Sequence, residues 1–424
     1  MRRVDDHRPG LSAALAALLL LVVAAVAAAV PAAADDVGVA APPTAITLNA
    51  KQTEGYWTPD RVADAEPLEL ARGDAETSAA APAPDLFGAP AEPFGSDIID
   101  RPEKYPNRVH GKLVGTYAGI GDYSCSATVI SSGSGSLLLT AGHCLFDAGN
   151  SNQFATNLAF APGFSKGNLP YGVWVASNAI TTKGWVRRGA LDYDFAMLRM
   201  QVSPIGTLQS VVGSRGIGFD QKRKQKLSAY GYPAKGNKSY NGDRLVRCTS
   251  GYVGDPFSNG GPRSRGMHCD QQQGSSGGGW VSQHSFVVSN TSHGYPQLSK
   301  NKFYGPYFGA AAKSLYKART KGWPSIGPVN CNGKVVSIVA TNQGERIRGT
   351  KGADVIATLG GNDQIEGRGG RDLICAGAGN DRVIGGGGKD RIIGGDGFDK
   401  CGGAKGNDSI KQCEKKRKAR SSED

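Results

Sequence analysis

Residues 272–280 read QQGSSGGGW, and the fold turns on what Ser276 is doing there. Taken alone, a run of Gly and Ser is a flexible linker, and a linker asks nothing of the rest of the chain. A nucleophilic serine does. Its hydroxyl is weak unless a base removes the proton, and the base must itself be held in place. Two other stretches offer those partners. LLLTAGHC, residues 137–144, sets His143 at the end of an apolar strand beside Cys144. ALDYDFAMLRM, residues 190–200, sends Asp194 into an apolar strand, where a carboxylate is costly unless something meets it. A histidine ring N–H is a suitable partner. Cys125, in YSCSATVIS on the strand before, is the natural mate for Cys144 and would pin the histidine loop.

The surroundings read as strands. HGKLVGTY, CSATVISS, SLLLTAG, GVWVAS, FAMLRMQV and HSFVVSN are short apolar runs broken by Gly, Asn, Asp and Pro. They predict an all-β domain over residues 105–325, a sandwich or barrel. Only residues 307–320, YFGAAAKSLYKART, read as a helix, with Leu315 and Tyr316 on one side.

TAGHC, DYDFAML and GSSGGG, in that chain order, resemble the three motifs of the chymotrypsin-like (trypsin-fold) serine proteases, near the secreted bacterial group that includes glutamyl endopeptidases. The resemblance covers residues 105–320 and implies a double β-barrel. It implies His143 as general base, Asp194 as the acid that orients it, and Ser276 as nucleophile. Asp194 rather than the rival Asp192 matches the acid–apolar–Ala pattern. The N–H groups of Gly274 and Ser276 are the implied oxyanion hole. The implied pocket wall is VVSNTSHGYP, residues 287–296, with Asn290, Thr291, Ser292 and His293 as lining candidates; a Thr and a His there suit an acidic substrate side chain. The other histidines, His110, His268 and His284, read as structural or surface groups. Two departures stand out. Ser275 occupies the place where trypsin has an aspartate that pairs with the new N-terminus, and GGGW stands where a proline is common after the two glycines. Cys248 and Cys269 bracket the loop leading to Ser276 and are expected to pair.

Residues 349–413 are a different kind of sequence. Asp354, Asp363, Asp372, Asp381, Asp390, Asp399 and Asp408 recur every nine residues, with a glycine two before each and, two after, an Ile, Val or Cys. Units such as GGGGKDRII and GGAKGNDSI resemble the RTX (haemolysin-type) calcium-binding repeat, which implies a parallel β-roll. Carboxylates and turn carbonyls are the oxygen ligands that calcium, a hard cation, takes. Ions are expected between repeats two apart, as between Asp363 and Asp381. Cys331, Cys375, Cys401 and Cys413 admit three pairings, of which Cys401 with Cys413 and Cys331 with Cys375 are favoured. Residues 326–348 are the linker and the start of the roll.

The chain has 424 residues and a formal charge of +12. The charge is uneven, for residues 35–104 hold 14 acidic and 5 basic residues. Residues 1–34 have a basic start, an apolar run dominated by Ala and Leu, and a PAAADD ending, which together read as an export signal cleaved near Ala34. Residues 35–104, rich in Ala, Pro and acid, predict no packed core of their own and read as a pro-segment or a disordered spacer. Eight cysteines in an exported chain imply disulfides, and without a C-x-x-C pair they do not point to zinc. The basic tail, residues 414–424, lacks aromatic platforms, so no nucleic-acid partner is expected. The expectation is a secreted, monomeric serine endopeptidase acting on proteins, free of the membrane after signal cleavage, with structural calcium and no catalytic metal. A catalytically dead, calcium-dependent binding or adhesion protein is the alternative. A weaker third reading has the basic body binding acidic polymers.

Overall fold

In the computed structural model, the apolar runs of residues 110–200 become six antiparallel strands that close on themselves. Their order is Trp174–Thr182, Thr156–Pro162, His110–Tyr117, Gly121–Ile130, Leu137–Thr140 and Ala196–Met200, and the last pairs back with the first. The structure describes residues 53–68, 95–320 and 330–417, with short breaks, and the pair 39–40. The expected export signal, His284 and the end of the basic tail lie outside the described residues.

The barrel explains why LLLT is apolar throughout. Leu138 pairs with Leu198 and packs in one core cluster, while Leu137, Leu139 and Met197 pack in another. Successive side chains leave a strand on opposite faces, so a strand covered on both faces has no polar side. The second half of the domain forms two sheets. One holds Gly216–Gly218, Phe286–Asn290, Gly279–Ser282, Leu227–Gly231 and Val246–Ser250. The other holds Tyr252–Gly254, Arg265–His268, Lys302–Gly305 and His293–Gly294. They enclose Leu227, Met267, Trp280, Val288 and Phe303, and the Cys248–Cys269 disulfide ties them together. The helix Ala310–Thr320, three residues shorter than its sequence predicts, buries Ala312, Leu315 and Tyr316. The Tyr316 hydroxyl donates to the Ser131 carbonyl at 2.9 Å and fastens the helix to the first barrel.

The repeats wind into two parallel sheets. Arg346–Arg348, Gln364–Gly369, Arg382–Gly387, Lys400–Lys405 and Lys415–Arg417 form one. Val355–Ala357, Leu373–Ala378, Arg391–Asp396 and Ser409–Lys411 lie in the other. Strands pair with the one 18 residues on, as Ile365 with Val383 and Ile374 with Ile392, until the last, where Lys400 pairs with Lys415. One full turn is therefore two nine-residue units, and the apolar residue of each unit points inward. The roll is continuous with the barrel sheet, because Ile338–Val339 pairs parallel with Val355–Ala357 and antiparallel with Gly216–Gly218. Disulfides join Cys331 to Cys375 and Cys401 to Cys413.

The acidic leader differs from a disordered spacer over its described part. The helix Pro59–Asp64 is capped by the Thr58 hydroxyl and has proline at its first position. Trp57, Val62 and Ala65 are buried in the same cluster as Val114, Ala159 and Phe164. Trp57 Nε1 donates to the Asn157 carbonyl at 2.6 Å, and Lys112 Nζ to the Ala63 carbonyl at 3.0 Å. Glu66–Pro67 then pairs with Tyr123–Ser124, and Gly95–Ile98 with Val246–Thr249. Three apolar side chains are too few for a core of their own, but they complete one that the barrel already supplies.

Candidate active site

His143 and Asp194 leave the first barrel on neighbouring loops, one after Leu137–Thr140 and one before Ala196–Met200. The His143 amide donates to Asp194 Oδ1 at 2.7 Å, and ring Nδ1 lies 2.8 Å from Oδ2. Ser292 Oγ donates to the same Oδ2 at 2.5 Å. Asp194 is wholly buried. Burial pushes its carboxyl up, but the His143 charge and the hydrogen bonds from His143 and Ser292 outweigh it and hold the group below the usual carboxylate range. Asp192 does other work. It accepts from the Gly261 amide at 3.2 Å and from the Ser264 amide and hydroxyl at 3.1 and 2.9 Å, so it braces that loop.

The histidine loop is fixed from below. The Tyr117 hydroxyl donates to the His143 carbonyl at 2.9 Å and the Tyr123 hydroxyl to the Cys144 carbonyl at 2.5 Å. Cys144 is bonded to Cys125. The disulfide sulfur of Cys144 lies 3.8 Å from the Ser276 carbonyl oxygen, which also accepts from the Ser126 amide at 2.7 Å. Ser276 thus comes to the His143 loop through its backbone. The serine–base hydrogen bond itself is not formed: among the described residues His143 Nε2 has no partner. Such bonds are often long in a site without substrate and tighten when it is filled.

The glycines are needed by the turn. Gly274 has φ +88°, and a Cβ on it would strike the Tyr232 carbonyl oxygen; a Cβ on Gly278 would strike that of Tyr230. The amides of Ser275, Gly277 and Gly278 bond to the carbonyls of Gln272, Thr291 and Ser275. Those of Gly274 and Ser276 meet no acceptor among the described residues. Trp280 packs in the core beneath the turn and donates from Nε1 to Thr291 Oγ1 at 2.9 Å.

The pocket candidates are buried and committed to other bonds. Asn290 Nδ2 donates to the carbonyls of Asp194 and Thr291, both at 3.2 Å. Thr291 receives Trp280. His293 faces Asp255, Tyr295 and Ser292. The sequence reading offered Ser292 only as a pocket-lining candidate and not as the partner of Asp194 that it is here, and it gave no signal for Asp255. Cys125, His143 and Cys144 lie close enough to resemble a metal site. Both sulfurs are in one disulfide, so neither is the thiolate that a metal binds.

The roll holds its aspartates in a ladder. The amides of Asp354, Asp363, Asp372, Asp381 and Asp390 each donate to Oδ1 of the aspartate 18 residues on, at 2.8–2.9 Å. Oδ2 of Asp363, Asp372, Asp381, Asp390 and Asp399 is buried with no partner among the described residues. Burial pushes Asp363 and Asp372 up to about 7 and Asp381 up to about 6. Asp354 differs, for its Oδ2 accepts from the Thr350 amide and hydroxyl at 2.6 and 2.9 Å. A row of buried carboxylate oxygens lacking donors fits a hard divalent cation.

Residues 125–288 match the family model of the trypsin-like peptidase domain. Residues 339–374 and 376–410 match the RTX calcium-binding nonapeptide repeat. A thermostable serine protease from an extremophilic microorganism is 36% identical over 50% of this chain and 96% of its own, with a TM-score of 0.46. The protease Anisep from Arthrobacter nicotinovorans is 32% identical over 51% of this chain and 97% of its own, again at 0.46. An extracellular metalloprotease of Bacillus subtilis (strain 168) is 26% identical over 86 residues, and the chain spans 26% of that relative's length.

Proposed function

We propose, since this chain belongs to the trypsin-like serine proteases, that it is a secreted endopeptidase whose chemistry runs through His143, Asp194 and Ser276. The observation that carries the reading is the buried His143–Asp194 pair, bonded at Nδ1 and leaving Nε2 without a partner beside the Ser276 turn. Asp194 fixes the tautomer with the proton on Nδ1, so Nε2 has a lone pair. Nε2 takes the Ser276 hydroxyl proton as Oγ attacks the scissile carbonyl carbon. The carbonyl oxygen gains the negative charge and faces the amides of Gly274 and Ser276. Losing one such donor costs roughly 3 kcal/mol in the transition state. His143 then passes its proton to the leaving amine as the C–N bond breaks, leaving an ester on Ser276. A water then gives a proton to the same Nε2 as it attacks the ester carbon, the C–Oγ bond breaks, and the proton passes from Nε2 to Oγ, releasing the acid and the free serine.

The roll carboxylates Asp363, Asp372, Asp381, Asp390 and Asp399 hold calcium in a structural role, with Asp354 and Asp408 at the ends of the ladder. Calcium there supplies charge neutralisation and oxygen coordination. The leader is a docked pro-segment. Leu68 donates its amide to the Ser124 carbonyl at 2.9 Å. The Pro67 Cβ lies 3.5 Å from where a Cβ on Gly274 would stand. The leader strand therefore runs against the loop that presents the oxyanion donors. Export fits the four disulfides and the leading apolar run; among the described residues no helix is long and apolar enough to cross a membrane.

Fluorophosphonate labelling of the purified chain, with and without residues 35–94, tests the whole reading. The expected result is a single adduct on Ser276, formed faster once the leader is gone, and none in Ser276→Ala. A folded, leader-free protein that takes no label overturns it in favour of an inactive, calcium-dependent binding protein. Equal rates with and without the leader sink the pro-segment alone.

A further inference from the structure

Behind Asp194, on the side away from His143, a second histidine and carboxylate continue the hydrogen-bonded chain. Ser292 Oγ lies 2.9 Å from Nδ1 of His293. Nε2 of His293 lies 3.3 Å from Asp255 Oδ2 and 3.4 Å from the Tyr295 hydroxyl. Ser292, His293 and Asp255 are all at least nineteen-twentieths buried, at 3%, 4% and 2% exposure. The His293 ring is stacked on Tyr304, with centroids 5.6 Å apart, and meets Tyr295 edge-on at 5.3 Å.

Chemistry sets the direction of each bond. A carboxylate only accepts, so the single proton of the Ser292 hydroxyl goes to Asp194. The Ser292 oxygen can then only accept from His293, which requires the proton on Nδ1. Asp255, also an acceptor only, takes a hydrogen from Nε2, so both ring nitrogens of His293 donate, Nδ1 to Ser292 and Nε2 to Asp255. Were Nδ1 bare instead, it would compete with Asp194 for the one serine proton, and the bond that holds Asp194 Oδ2 from behind would be shared or lost.

We infer that His293 and Asp255 are positioning residues for the peptidase reaction: they orient the Ser292 hydroxyl onto Asp194, and through it hold His143 in the tautomer that leaves Nε2 ready. This deepens the proposed function and rests on it. His293 touches neither the reacting atoms nor His143. It acts at second hand, through a hydroxyl whose only free choice is direction. The run of contacts is Asp255, His293, Ser292, Asp194, His143. Four sequence-distant segments meet in it, and every link is buried from water, where a misplaced proton is most costly.

The side-chain amide of asparagine can reproduce the Nδ1 donor of histidine, whereas that of glutamine reaches the Nε2 position. The test compares His293→Gln, His293→Asn, Asp255→Asn and Ser292→Ala by kcat, KM, pH profile and melting temperature. The expected result for His293→Gln is a drop of about tenfold in kcat with KM unchanged, and a shift of the acidic limb of kcat/KM, which reports the His143 base. Facing His293, the groups that can titrate are Asp255, Tyr295 and Tyr304. His293→Asn is expected to recover most of the loss. In a Ser292→Ala background His293→Gln is expected to add nothing, because the link it acts through is gone. Equal losses for Gln and Asn with an unmoved pH limb, or full additivity with Ser292→Ala, overturn the inference and leave a merely structural pair. If His293→Gln does not fold, the His293→Asn and Asp255→Asn profiles decide it: an unmoved limb in Asp255→Asn overturns it. Absence of wild-type labelling by a fluorophosphonate instead defeats the peptidase reading, so the two failures are told apart.

Discussion

Two sets of buried carboxylates in this molecule are treated in opposite ways. Asp194 meets three donors on its two oxygens and is held below the usual carboxylate range in spite of full burial. In the roll, Asp372, Asp381, Asp390 and Asp363 each meet an amide on Oδ1 and, among the described residues, no partner on Oδ2, and burial drives them upward, Asp363 and Asp372 to about 7. Desolvation disfavours the charged form in both places. What differs is whether the protein brings its own compensation. The barrels supply fixed donors, so the charge is always there and always aimed. The roll withholds them, so the charge awaits a cation.

The sharpest way to break the contrast is to make Asp194 unable to accept. Asp194→Asn keeps the shape and removes one acceptor, and the histidine tautomer goes with it. The expected loss is on the order of 10⁴-fold in kcat/KM on a protein substrate. Asp192→Asn, two residues away, is expected to stay within a few-fold in kcat/KM while lowering the melting temperature, since its oxygens hold the Gly261–Ser264 loop. Comparable kinetic losses from the two would mean that the sequence pattern chose the wrong acid.

The next effect in size is on the roll. With calcium in thousandfold excess over its dissociation constant, binding to the native form alone adds about 4 kcal/mol. The roll transition in a thermal melt is therefore expected to rise steeply with calcium and to collapse under a chelator. The pH response should also invert. Without metal, the folded-state values near 6 and 7 lie above the ordinary 3.8, so the native roll holds protons that the unfolded chain has released. Its stability is then full below about pH 4 and is lost as pH rises through about 7. With calcium present the carboxylates must be ionised to bind, and stability is expected to rise over the same window. A chelated roll that gains stability with rising pH would show that its carboxylates already have partners.

How much of this was legible in advance follows the same division. Local, periodic features could be read directly. The nine-residue spacing of aspartates gives the 18-residue strand register, because one turn of the roll is two units, and the short apolar runs give an all-β domain, with the barrel implied by the family resemblance of the three motifs. His143, Asp194 and Ser276 each stand in a short motif, and it is the three together, in chain order, that make the run around Ser276 more than a linker. Features made by distant segments could not be read. Asp255 is 38 residues from His293, and its sequence surroundings say nothing of a histidine. The docking of the leader could not be read for a related reason. Its Ala, Pro and acidic composition excludes a core of its own, but Trp57, Val62 and Ala65 use a surface that belongs to another domain. The signal was present locally in Thr58-Pro59, a helix start with a capping hydroxyl and proline at the first position. A strand also fixes which residues alternate but not which face meets solvent; Asn290, Thr291 and His293 are buried and bonded to neighbouring groups.

The smallest effect is the finest test of the contrast, since it lies within the roll itself. Asp354 and Asp381 occupy the same place in their repeats, yet Thr350 gives Asp354 Oδ2 two donors while Asp381 Oδ2 has none. Asp381→Asn replaces an uncompensated charge by a neutral amide of the same shape. In chelator at pH 8 it is expected to raise the roll melting temperature by roughly a few degrees, because the buried oxygen no longer carries charge. In calcium the same change removes a ligand charge and is expected to lower it. Asp354→Asn is expected to lower the melting temperature in both conditions, because it disturbs the bonds from Thr350 whether or not metal is bound. Opposite signs for Asp381→Asn across the two conditions, against one sign for Asp354→Asn, would place the boundary between protein-satisfied and cation-satisfied carboxylates between the first and later turns of the roll. The same sign for both variants in chelator would mean that the Asp381 oxygen finds donors in solution, and the distinction between the two regions would then be one of degree.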